Sequence, residues 1–177
     1  MFHQLYLNTT ETQQFQDIHS SIIPNRTKRF ETYDILHKTS NFADKDSSIY
    51  KKINPILEKA KDILNSLNIK NYDLSKYNME FHQRNCGFEK KKYQWSTWHK
   101  DDYATTSFKV YTILFYIRKD STVDGGNLDY IIDNTQHKYV VNAGNVVVMR
   151  GDVRHKPEAT SGFGCRDIIV LFIKRLL

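Results

Sequence analysis

The stretch Phe108-Lys-Val-Tyr-Thr-Ile-Leu-Phe-Tyr-Ile117 is apolar, aromatic or β-branched at every position but Lys109, with no glycine or proline. Such a run reads as a strand, and it is one of a series. Similar short runs occupy Tyr77 to Gln83, Leu128 to Ile132, Lys138 to Val141, Val146 to Met149 and Ile168 to Ile173. Between them Asp124-Gly-Gly-Asn127 and Asn142-Ala-Gly-Asn145 are strong turn signals. Short strands at this spacing predict a β-barrel or jelly roll.

Working outward toward the N-terminus, the texture changes near residue 76. Glu11 to Ile23 predicts a short helix that stops at Pro24, and the basic, polar run Asn25 to Asp46 has no period and predicts loops. A firmer helix follows Ser47 or Ser48, either of which can cap it. Ile49, Ile53, Ile56, Leu57, Ala60, Ile63, Leu64 and Leu67 recur at steps of three and four along one stripe. Pro55 sits near the start of this helix, and Asn65 and Asn68 are stop signals. No repeat, low-complexity tract or linker divides the chain. The expectation is one domain over residues 1–177: a helical or irregular lead-in (1–76) and a jelly-roll core (77–177), mainly β in class.

The 177 residues suffice for a buried core, and 40% hydrophobic content excludes a disordered chain. A net charge of +6 favours acidic partners, nucleic acid among them, although many enzymes are as basic. No stretch is long and apolar enough to span a bilayer, and Met1 to Thr10 lacks the features of a secretory signal. Cytoplasmic or nuclear residence is the expectation that follows. Cys86 and Cys165 are then expected as reduced thiols, and two distant cysteines make a poor zinc site.

Candidate chemistry lies in the β-rich half. His99-Lys100-Asp101 is followed by His155, 56 residues beyond His99. On an extended segment positions i and i+2 share a face, so His99 and Asp101 can bind one ion. Two imidazoles and a carboxylate on one face of an octahedron leave three positions open, which is the arrangement of non-haem iron(II) oxygenases. Arg166, eleven residues after His155, could grip the far carboxylate of a dicarboxylate with two charge-assisted bonds. Each part alone has a plain alternative: a surface His-x-Asp pair, a packed histidine, a solvent-facing arginine. The ordered combination is what carries specificity. Asp102 should point away from Asp101, and His82 and His137 are expected to be structural. Trp95 and Trp98 could shape a substrate mouth or simply pack.

From His99 to Lys174 the chain resembles the catalytic core of the prolyl-hydroxylase-like branch of the iron(II)/2-oxoglutarate dioxygenases. Val110 to Asp120 is similar to the family strand after His-x-Asp. Gly125-Gly-Asn-Leu128 resembles its Gly-Gly-x-Leu step, Val141 to Val148 the strand before the distal histidine, and His155-Lys-Pro157 the lead toward Arg166. The resemblance implies a double-stranded β-helix in which His99, Asp101 and His155 bind Fe(II). It implies 2-oxoglutarate and dioxygen as cosubstrates, ascorbate as a candidate reductant, and Arg166 on the distal carboxylate. Tyr116 aligns with a family tyrosine touching that carboxylate, with a packed barrel aromatic as the alternative, and Thr112 would line the same pocket. The activity implied is hydroxylation of a C–H bond on a protein or peptide side chain, prolyl first. Alternatives are a nucleic-acid demethylase, a small-molecule hydroxylase, or a non-catalytic barrel module. The repair branch carries a second arginine where this chain has Phe172, and Asn85-Cys-Gly87 stands where it has Asn-x-Tyr. The segment Gly87 to Trp98, with Lys90-Lys-Lys92, is rich in Lys and Trp where prolyl hydroxylases have Gly and Tyr. Its lysine run reads as a solvated loop or a binding patch.

Overall fold

In a computed structural model of the chain, residues 1–23, 30–34, 48–86, 97–102 and 108–176 are described, with backbone only at 30–34 and 84–86. In chain order the elements are β1 (Phe2–Tyr6), α1 (Thr9–Ile22), β2 (Phe30–Asp34), α2 (Ser48–Ser66) and β3 (Tyr72–Cys86). There follow β4 (Val110–Lys119), β5 (Val123–Gly125), β6 (Leu128–Ile132), β7 (Thr135–Tyr139) and β8 (Asn145–Arg150). The last are β9 (His155–Pro157), β10 (Thr160–Gly162) and β11 (Gly164–Arg175). A six-stranded antiparallel sheet has the order β1-β8-β4-β11-β3-β2. Among the described residues two smaller sheets, β7-β6-β9 and β10-β5, complete a mainly β architecture with two helices.

Period-two alternation divides the large sheet into two packed faces. Tyr111, Ile113, Phe115 and Ile117 of β4 join Val146 and Val148 of β8 and Ile169, Leu171 and Ile173 of β11 in one core. That core also holds Phe15 of α1 and the α2 stripe Ile53, Ile56, Leu57, Ala60, Ile63 and Leu64, so the helices cover this face. Phe15 meets Phe115 edge-on at 5.3 Å. The opposite face, with Leu114, Tyr116, Val147, Met149, Ile168, Val170 and Phe172, packs on Leu128, Tyr139 and Val141 from the small-sheet side. A strand covered on both faces is largely apolar, which accounts for the run Val110–Ile117 in β4, where Thr112 is the one aliphatic-alcohol exception.

Local signals set the helix ends. Asn8 and Glu11 form a reciprocal capping box at the start of α1. Beyond α2, Asn68 adopts φ 55°, and the amides of Asn68 and Ile69 donate to the carbonyls of Asn65 and Leu64, both at 2.9 Å. That is the left-handed stop the asparagines predicted.

The lead-in is not only helical or irregular. β1 pairs with β8 (Phe2 opposite Met149) and β2 with β3, so residues before 76 supply both edge strands of the large sheet. The expected boundary at 76/77 falls inside β3. An edge strand of five residues, covered on one side, leaves too weak a pattern to stand out. β5, β9 and β10, three residues each, escape notice for the same reason. The two-residue turn Asp133-Asn134, with φ 50° and 61°, closes the β6–β7 hairpin, a signal the sequence carries but that was not among the expected turns. The expected loops over 25–29 and 35–46 lie outside the described residues. Among the described residues no helix is long and apolar enough to cross a membrane.

Candidate metal centre

His99 and His155 come together through their backbones. Each amide donates to the other's carbonyl, at 2.9 and 3.0 Å, forming an isolated antiparallel bridge. The two rings then lie 4.3 Å apart. The segment after His99 is not a regular strand, as the i, i+2 argument assumed, but it is held extended. The amides of Asp101 and Asp102 both donate to Gly151 O, at 2.8 and 3.0 Å. Alternation survives: Asp101 turns toward the histidines, while Asp102 turns away, accepts from the Val110 amide at 2.9 Å and lies 3.6 Å from Arg175. A Cβ at Gly151 would run into Asp102 and Val110, so glycine permits this approach.

His99, Asp101 and His155 each offer one ligand atom within 4.8 Å of the others. Asp101 Oδ1 is 3.8 Å from His99 Nε2, and Oδ2 is 3.7 Å from His155 Nε2. The Nδ1 atoms of His99 and His155 donate to the carbonyls of Thr97 and Val153, at 2.9 and 3.0 Å. A proton held on Nδ1 leaves the Nε2 lone pair for a cation, the tautomer a metal ligand needs. Burial holds the His155 imidazole below its ordinary pKa, with Asp101 opposing and His99 reinforcing the shift, so it stays neutral. Donors bound at about 2.1 Å from one ion lie at most about 4.2 Å apart; each histidine meets that limit with one of the two carboxylate oxygens, and the three-way spacing of up to 4.8 Å leaves a small closure for an ion to make. Donor chemistry and spacing fit a first-row divalent cation.

Thr112 was expected to line a cosubstrate pocket with Tyr116; it lies on the same sheet face, and its hydroxyl donates to Asp101 Oδ2 at 2.6 Å, both side chains being buried. It is a holder of the carboxylate, which strand periodicity alone could not reveal.

Arg166 is 2% exposed and lies on the same sheet face. Its guanidinium donates to Gly126 O at 2.7 Å and sits 5.9 Å from the Tyr116 ring centre. A Cβ on Gly126 would lie 2.8 Å from Arg166 Nη1, and Gly126 has φ 71°. The Gly-Gly step thus clears room for a buried fork of donors, a cradle suited to a carboxylate. Tyr116 is buried at 2% exposure in the core facing the site, which leaves both of its expected roles compatible with its place.

The remaining candidates fall outside the cluster. Trp98 is half-buried, with Arg154 and Lys156 at 5.7 and 5.3 Å from its ring centre, so its neighbours are the two residues flanking His155. Trp95, Lys90-Lys-Lys92 and most of Gly87 to Trp98 lie outside the described residues. His137 is exposed and stacks on Tyr130, and His82 bonds to Glu80 at 2.7 Å. Among the described residues Cys165 forms no disulfide, and its amide donates to Asp120 Oδ2 at 2.8 Å.

A chain from Burkholderia pseudomallei described as an oxidoreductase of the 2OG-Fe(II) oxygenase family superposes with a TM-score of 0.71, at 13% identity over 98% of this chain and 84% of its own. The fold is that of the 2OG-Fe(II) oxygenases. A viral collagen prolyl hydroxylase from Paramecium bursaria chlorella virus-1, solved as a 2OG complex, shares this oxygenase fold with a TM-score of 0.61, 16% identity and coverage of 99% and 96%. So does a prolyl hydroxylase from Trichoplax adhaerens, solved with a hypoxia-inducible-factor peptide fragment, with a TM-score of 0.66, 12% identity and coverage of 98% and 83%. No protein-family model matches the sequence, and no curated protein matches it.

Proposed function

We propose that the chain is an Fe(II)- and 2-oxoglutarate-dependent dioxygenase that hydroxylates a C–H bond on a protein or peptide side chain, prolyl-type first. The observation that carries this reading is the convergence of two Nδ1-anchored imidazoles and Asp101 at one point, on a sheet face that also holds a buried guanidinium. In this reading the large sheet facing the two small ones is a double-stranded β-helix, the jelly roll of the family.

His99, Asp101 and His155 would hold the iron, and Arg166 the distal carboxylate of 2-oxoglutarate, with the Tyr116 hydroxyl as its neighbour. When bound, the iron and cosubstrate supply the oxidising power: dioxygen and 2-oxoglutarate are consumed, succinate and carbon dioxide leave, and a C–H bond becomes C–OH. Ascorbate as reductant belongs to the same proposal. The protein's part is placement. Thr112 fixes the carboxylate, the two carbonyls fix the ring tautomers, and Arg166 holds a diacid in a buried place where its bonds are strong. Trp98, beside Arg154 and Lys156, is retained as a candidate mouth residue, together with Trp95.

Peptide substrates are supported by the Trichoplax neighbour, which is in complex with a peptide fragment. Phe172, at the place of the repair branch's second arginine, is 4% exposed and packed in the core facing the site. Asp101→Ala or His155→Ala should abolish succinate formation from 2-oxoglutarate with Fe(II), and undiminished turnover in either variant would refute the assignment. Proline-rich peptides, methylated oligonucleotides and free amino acids, offered in parallel, then distinguish substrate classes.

A further inference from the structure

On β4, Thr112, Leu114 and Tyr116 face the metal side of the sheet, and Tyr111, Ile113, Phe115 and Ile117 face the helices. Continued unbroken, that alternation would carry Arg118 to the metal side and turn Lys119 toward the helices. The strand breaks it. The β4–β11 register slips between Asp167 and Ile168. Tyr116 stands opposite Ile168, but Arg118 stands opposite Asp167 and Lys119 opposite Arg166, with Ile117 as the extra residue. Residues directly opposite share a face, and β11 pairs with β3 regularly through this stretch. The bulge therefore re-aims Lys119 onto the face of Arg166, as bulges beside functional sites do.

The Lys119 side chain follows that turn. Its Nζ donates to Val141 O at 3.3 Å, and Val141 belongs to the core facing the site. Arg166 donates to Gly126 O at 2.7 Å. The two carbonyls lie at the open end of the β6–β7 hairpin, each just beyond the Leu128–Tyr139 pair. There the Asn127 side chain accepts from the Val141 amide at 3.2 Å and holds the two segments together. Facing strands are about 4.8 Å apart, so the two cations are anchored to acceptors about one strand spacing from each other.

Like charges directly opposite on paired strands repel, and more strongly away from water. Arg166 is 2% exposed and Lys119 is half-buried. Among the described residues Lys119 meets no carboxylate, and its bond to a neutral carbonyl is long. An anion within reach of both cations relieves the repulsion, and a carboxylate has two oxygens to divide between them. We propose that Lys119 is a second anchor for the distal carboxylate of 2-oxoglutarate, taking one oxygen while Arg166 takes the other, an inference that rests on the dioxygenase reading. A keto acid without that carboxylate leaves both cations unmatched, so the pair selects a diacid.

The test uses the full chain loaded with Mn(II) and kept from dioxygen. Calorimetry compares 2-oxoglutarate with 2-oxopentanoate, which has the same chain and keto acid but ends in a methyl group. Lys119→Met should weaken 2-oxoglutarate about tenfold or more and leave 2-oxopentanoate unchanged, while Lys119→Arg keeps most of the affinity. Equal losses for both acids would assign Lys119 to the fold alone and overturn the proposal, as would an unaltered 2-oxoglutarate affinity. If Lys119→Met does not fold, the wild type still decides. Reductive methylation of its lysines, read by peptide mass spectrometry, should be slowed at Lys119 by saturating 2-oxoglutarate and not by 2-oxopentanoate, and equal labelling with both overturns the proposal. A wild type that binds neither Mn(II) nor 2-oxoglutarate would instead remove the dioxygenase reading, and this proposal with it.

Discussion

Thr112→Val tests whether the candidate metal centre is built as an ensemble or is a chance meeting of three side chains. Valine matches threonine in shape but removes the 2.6 Å bond to Asp101 Oδ2. Thr112 is fully buried and Asp101 is 3% exposed, so water does not replace the lost donor. A bond to an ionised group is worth about 1.5–3 kcal/mol, and at about 1.4 kcal/mol per tenfold this predicts a loss of metal affinity of about 10- to 100-fold. Calorimetric titration of the metal-free protein with Mn(II) reads that loss, with thermal unfolding followed in parallel. Thr112→Ser keeps the hydroxyl and should restore most of the affinity. An unchanged Mn(II) affinity in Thr112→Val, whatever its melting temperature, would show that the hydroxyl serves only the fold.

Two further outcomes follow from neighbouring residues. Gly126→Ala puts a Cβ 2.8 Å from Arg166 Nη1 on a backbone with φ 71°, strain of about 1–3 kcal/mol. It should raise KM for 2-oxoglutarate by about tenfold or more while sparing Mn(II) affinity, and an unaltered KM would remove Gly126 from the cosubstrate cradle. Because burial lowers the His155 pKa, the unfolded chain takes up that proton near pH 6.5 while the folded metal-free protein resists until lower pH. Stability from this residue is therefore present above about pH 6.5 and is lost as pH falls through the folded value. The melting temperature of the metal-free protein should drop between pH 7.5 and 5.5, less steeply in His155→Gln, and parallel slopes would contradict the buried, neutral imidazole.

Much of the molecule was legible without coordinates because the determining interactions are local in sequence. Side chains that alternate along a strand announce it, as Leu128–Ile132 did to the residue. The α2 stripe did the same at helical period, and Asn68 stopped the helix through its own backbone preference. The order His-x-Asp, distal histidine and arginine was readable as well, since residue type and spacing limit the chemistry available. Extended alternation also separated Asp101 from Asp102 even though no regular strand forms there.

What only the tertiary structure decided depends on contacts between residues far apart in the chain. The pairing of Phe2–Tyr6 with β8 is invisible locally, because an edge strand takes its stability from its neighbour. Thr112 looked like a pocket residue, and only the arrival of Asp101 above β4 gave its hydroxyl a partner. Gly126 is needed because Arg166, 40 residues later, occupies the space a Cβ would take. Sequence periodicity states which face of an element is turned inward, and packing alone determines what waits there.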